Sequence, residues 1–130
     1  MKEYMRLVFF AMLLCVISFP SEKATENIGV FSRTVKEMGY DDVSETPYEV
    51  AEFTIPTEFN EVYIRYNELL KTAGYDLSPY KGKSCKRYTY LIPSKNARAN
   101  IIVYDGEIIG GDISSITLDG IMIPIEKMID

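Results

Sequence analysis

Asp105-Gly106 stands between two β-rich runs, ANIIVY and EIIGGDISSITL, and Asp119-Gly120 separates the second run from IMIPI. Asp-Gly between such runs is the strongest short-range hairpin signal, because the tight primed turn needs positive φ at both central residues. The C-terminal part of the chain therefore reads as strands that double back on their neighbours. SCKRYTYLI alternates polar and apolar residues, PSKNAR is a loop, and the expected strands lie near 84–92, 99–104, 107–117 and 121–125. They predict an antiparallel meander. Gly110-Gly111 sits inside a strand, where glycine marks a bulge or a close backbone approach. A phosphate-cradling loop would lead from a strand into a helix, with N–H groups converging on the anion. These glycines lead from strand to strand, so they punctuate a sheet.

Upstream the period changes. Phe59, Val62, Tyr63, Tyr66, Leu69, Leu70 and Ala73 form one stripe of a helix over 58–73, with Glu61, Arg65, Glu68 and Lys71 on the wet face. Thr57 is its expected cap and Gly74 its stop. Ile28, Phe31, Val35 and Met38 predict a shorter helix near 26–38, capped by Thr25 and stopped at Gly39. YEVAEFTI, near 48–55, reads as a strand ended by Pro56. AGYDLSPYKGK is a loop with room for one helical turn between Leu77 and Tyr80.

The N-terminal segment points to a compartment. Lys2 and Arg6 precede an apolar run from Leu7 to Phe19, which Pro20 ends. That order describes a secretory signal or a short membrane anchor over residues 1–24, with a single domain over 25–130 beyond it. Those thirteen residues, interrupted only by Ser18, rise only about 20 Å as a helix, short of the roughly 30 Å hydrocarbon core, which favours the signal. The cleavage site is poor, since a cut after Ala24 would put Glu22 where a small residue belongs. Leu14 before Cys15 argues against lipidation there, and a buried N-terminal helix or strand is the bland alternative. A basic start places the domain outside the membrane.

Composition narrows the chemistry. The chain has no His, which removes the commonest general base and metal ligand. A net charge of -5 argues against nucleic acid as a partner. With two cysteines, and Cys15 in the apolar run, the domain keeps one thiol, so a Cys-rich zinc site is excluded by count.

Three constellations remain as candidates. Asp105, Glu107, Asp112 and Asp119 lack the ligand spacing of a calcium loop, and no metal or cofactor is expected. Cys85 has cationic neighbours in Lys83, Lys86 and Arg87, which lower a thiol pKa, but it has no base and Lys86 falls on the opposite strand face. Lys81, Lys83, Lys86, Arg87, Lys95 and Arg98 interleave with Tyr80, Tyr88 and Tyr90. Lys86, Tyr88 and Tyr90 share one strand face, a candidate ligand platform for stacking and charge, whose alternative is an amphipathic strand with a snorkelling edge.

TIPTEFNEVYIRYNELLKTAGYDLSPYKGKSCKRYTYLI followed by ANIIVYDGEIIGGDISSITLDG resembles the family called domain of unknown function forty-eight-thirty, found in small envelope proteins of Gram-positive bacteria. The resemblance covers roughly residues 27–122, and it implies export of the chain and no assigned catalytic residue.

The expected fold is α+β: one or two amphipathic helices on one face of a mostly antiparallel sheet of four or five strands, like PepSY-type and cystatin-like domains by analogy. The expected function is a non-catalytic, extracytoplasmic binding module for a peptide, a protein or an envelope polymer. A regulator of an exported peptidase is one form of it. The alternative is a small enzyme using Cys85 or a carboxylate pair.

Overall fold

A computed structural model describes residues 16–17, 22–116 and 121–127. The strands are β1 (Val16–Ile17), β2 (Glu49–Thr54), β3 (Ser84–Ile92), β4 (Ala97–Tyr104), β5 (Glu107–Ser115) and β6 (Met122–Pro124). The helices are α1 (Glu22–Glu37) and α2 (Glu61–Lys71). Strands β2 to β6 make a five-stranded antiparallel sheet in sequence order, and the two-residue β1 adds to the outer edge of β2. This is the α+β fold with a C-terminal meander. Apart from Val16–Ile17 and the start of α1, the segment read as an export signal lies outside the described residues. Among the described residues no helix is long and apolar enough to cross a membrane.

The hairpin chemistry holds where it is visible. Asp105 and Gly106 have φ of 49° and 81°, the double positive φ of a primed turn. Asp119-Gly120 lies outside the described residues. At the strand glycines the register of β4 on β5 shifts: Ile102 faces Gly110 and Val103 faces Ile108, so Ile109 is the extra residue of a bulge. A Cβ on Gly110 would lie 2.7 Å from Leu70 Cδ1, and one on Gly111 would overlap the Asn100 carbonyl oxygen. Close approach, from a helix on one residue and a neighbouring strand on the other, requires both glycines.

The helices do not share a face. Phe31 and Val35 of α1 bury with Val50, Tyr88, Tyr90, Ile92 and Ile101, and the Phe31 and Tyr88 rings lie 5.0 Å apart. Tyr66 and Leu70 of α2 bury with Phe53, Cys85, Ile102, Ile109 and Met122. Alternation explains the correction. Even-numbered residues of β3 point to the α1 face and odd-numbered ones to the α2 face, and buried residues lie on both, so each face takes its own helix.

Two helix boundaries also differ from expectation. α2 begins at Glu61, capped by Asn60, whose side chain accepts the Tyr63 N–H at 2.9 Å. The amide oxygen of Asn60 satisfies an orphan donor of the first turn, so Thr57 is not used. α1 begins at Glu22, because Glu22, Lys23 and Ala24 are good helix formers and carry the helix back towards Pro20. Gly39 and Gly74, with φ of 101° and 95°, stop the helices as expected.

The two edges of the sheet differ. The Ile121 carbonyl and the Ile125 N–H are bonded to β5, so by alternation the backbone groups of Met122 and Pro124 face away from β5. Pro124 has no N–H to offer, which blunts that edge. On β2 the Ile55 N–H and C=O are bonded to the β3 side, so by alternation Val50, Glu52 and Thr54 point their backbone groups away from β3. None of these three is proline.

Candidate functional site

The α2 face carries a row of polar residues running straight across four strands. Glu49 faces Thr89, Thr89 faces Asn100, and Asn100 faces Asp112. Beside this row, and on the same face by alternation, lie Arg87 on β3 and Ser114 on β5. Arg87, Thr89, Asn100, Asp112 and Ser114 are all buried.

Each group in the row has an internal partner. Thr89 Oγ1 donates to Asn100 Oδ1 at 2.9 Å, and Asn100 Nδ2 donates to Asp112 Oδ1 at 3.0 Å. Ser114 Oγ donates to the same Asp112 oxygen at 3.1 Å. From α2, Tyr66 Oη donates to Asp112 Oδ2 at 2.6 Å. Arg87 donates to Glu49 Oε1 at 2.7 Å, a nearly dry ion pair on the arginine side. Arg87 Nε has no hydrogen-bond partner among the described residues.

Desolvation sets the electrostatics. Burial pushes the Asp112 carboxyl above its ordinary range, while its bonds from Tyr66, Asn100 and Ser114 and the nearby Arg87 charge pull it back. Burial and the facing carboxylate push the Tyr66 phenol well up, so it stays a donor. A carboxylate that accepts three donors is an anchor, and the bond to Tyr66 ties α2 to the sheet.

A second polar clip fixes the loop after α2. Asn67 Nδ2 donates to Asp76 Oδ1 at 2.8 Å and Asn67 Oδ1 accepts the Leu77 N–H at 2.7 Å. Asp76 also accepts the Ser78 N–H at 2.9 Å. The bonds from Asn67 and Ser78 hold the Asp76 pKa down to about 2.

The residues singled out in the sequence fall as follows. Lys86, Tyr88 and Tyr90 do share a face, but Tyr88 and Tyr90 are 1% and 0% exposed. They are core under α1, with Phe31 packed on Tyr88, and not an open platform. Lys81, from the same basic stretch, sits with its ammonium 4.5 Å above the Phe59 ring. Cys85 is buried, and desolvation pushes its thiol up to about 11. Its cationic neighbours therefore do not activate it. Of the four acidic residues, Asp105 and Glu107 lie at the exposed hairpin, Asp112 is buried, and Asp119 is outside the described residues. Among the described residues no three His, Cys, Asp or Glu side chains gather.

The polar row is what the sequence reading missed, since it took Asp112 as a failed calcium ligand and Tyr66 as core. The signal was there: Arg87 and Thr89, Arg98 and Asn100, Asp112 and Ser114 occupy alternate positions in three successive apolar strands. On a sheet with one wet face that pattern means solvent. Here a helix covers the face, so it means a buried network.

Residues 34–113 match the family described as domain of unknown function (DUF4830), more than half of the chain. No curated protein and no solved structure matches. The chain belongs to that family.

Proposed function

We propose that this DUF4830 protein is an extracytoplasmic, non-catalytic interaction module, held at the membrane or released from it by its N-terminal segment. Its partner is a peptide, a protein or an envelope polymer, and regulation of an exported peptidase is the narrower form of this role. The basic start and the apolar run of residues 7–19 support the location.

The observation that carries the reading is how the reactive groups are used. Asp112 is saturated by three donors, and the Cys85 thiol is buried and pushed up to about 11. A nucleophile or a general base needs the opposite, a group that is poised and accessible. Meanwhile Ile116, Ile121 and Ile123 stand exposed around the end of the meander, with Ile121 at 72%. Exposed apolar residues gathered in one region mark interaction surfaces.

Protease shaving of intact cells with fractionation, followed by intact mass of the recovered protein, tests the proposal. Cleavage of the domain from outside, or its recovery from the medium, is the expected result. Full protection in the cytoplasm would reject it.

A further inference from the structure

The outer edge of β2 is already used as a receptor for an extended segment. Val16 faces Glu52 and Ile17 faces Ala51 in antiparallel register. Among the described residues, two of the six residues of β2 are paired on that side, and no proline within β2 blunts this edge as Pro124 blunts β6. Val16–Ile17 belongs to the apolar run behind Lys2 and Arg6. A segment that enters a bilayer, or is cut away on export, cannot also hold a sheet edge. Export of the chain therefore empties the edge of β2.

Resting on the interaction-module reading above, we infer that the β2 edge is its binding site and that the partner is an extended peptide segment, added as an outer strand. Val50, Glu52 and Thr54 supply the backbone groups, which gives affinity with little dependence on sequence. Selectivity comes from two positions. A ligand residue opposite Ala51 lies on the α2 face, where Ala51 is small and Phe53 is the next side chain along, so an apolar residue fits. A ligand residue opposite Glu52 lies on the other face beside an exposed carboxylate, so an acidic residue is repelled and a basic one accepted. In the full chain Val16–Ile17 acts as the placeholder that such a peptide displaces.

The test uses the full chain in mild detergent, with Cys15 and Cys85 changed to Ala and the pair Ile17→Cys and Ala51→Cys introduced. Ala51 and Ile17 form a non-hydrogen-bonded pair, in which Cα atoms approach to about 4.5 Å, a separation a disulfide spans. The probes are labelled peptides built on LAVISF, the chain's own Leu14–Phe19 with Cys15 replaced by Ala, and bearing Lys or Glu in place of Val16.

Oxidised protein should bind neither peptide, and reduction should restore binding of the Lys peptide. The Lys peptide should outbind the Glu peptide by up to about fivefold, a preference that Glu52→Gln removes. Equal binding of the Lys peptide by the disulfide-locked and the reduced protein would overturn the assignment. So would a reduced chain that dimerises through this edge and ignores the peptide. None of those results touches the location of the domain, which shaving reads separately.

Discussion

Tyr66 of α2 and Asp112 of β5, 46 residues apart, share a fully buried hydrogen bond of 2.6 Å. It joins the helix most legible in the sequence to a strand whose carboxylate the sequence placed among four acidic residues without metal-ligand spacing. The bond makes that carboxylate structural, and it organises the expectations that follow.

Removing either partner leaves the other without its bond in a dry place. Tyr66→Phe should cost about 1–3 kcal/mol, the penalty for an unsatisfied buried group. Asp112→Ala strands the hydroxyls of Tyr66 and Ser114 and the amide of Asn100 together, and should cost about 3–5 kcal/mol. Urea denaturation measures both, and a double-mutant cycle should show strong coupling between them. Additive losses would mean that the two residues do not interact.

The direction of the Asp112 shift fixes a pH dependence. Its folded pKa lies above the unfolded value near 3.9, so the folded state holds the proton more tightly. The stability linked to this proton is fully present below the unfolded pKa and is lost as pH rises through the folded one. Asp112→Asn removes the titration, so its stability relative to the parent should improve as pH rises across that window. Asp76 acts in the opposite sense at lower pH: its contribution is present above about 4 and disappears as pH falls towards about 2. Denaturation midpoints from pH 2 to 8, for parent, Asp112→Asn and Asp76→Asn, would separate the two.

A thiol held at about 11 and buried is protonated at neutral pH. Alkylation of Cys85 in the folded domain should be slow at pH 7.5 and rise to the free-thiol rate in urea. Rapid reaction of folded protein would reopen the enzyme reading.

Gly110 and Gly111 differ in what opposes a side chain. Gly110→Ala meets the terminal carbon of Leu70, which can rotate, so a loss of about 1 kcal/mol is expected. Gly111→Ala meets the Asn100 backbone carbonyl, which belongs to the sheet ladder and cannot withdraw. That substitution should cost about 3 kcal/mol or more. Thermal unfolding of the two variants would show whether the order holds.

Much of this was written in local pattern. Asp105-Gly106 imposed a primed turn through positive φ at adjacent residues, and Gly39 and Gly74 ended helices by the same freedom. The stripe from Val62 to Leu70 marked α2, and the Gly110-Gly111 pair announced a bulge. Such signals act over a few residues, through backbone sterics and side-chain period, so one sequence suffices to read them.

What the sequence by itself determined is therefore the elements, their order, the antiparallel meander and the α+β class. Tertiary structure decided which face each helix covers, and with it the meaning of every polar residue on the strands. A period of two tells Tyr88 from Thr89 but not which side meets water. Placing α1 over Tyr88 and Tyr90 turned an apparent ligand platform into core. Placing α2 on the sheet face that carries Thr89, Asn100 and Asp112 turned an apparently wet face into a buried network, because removal of water makes a hydrogen-bond partner obligatory for each of them.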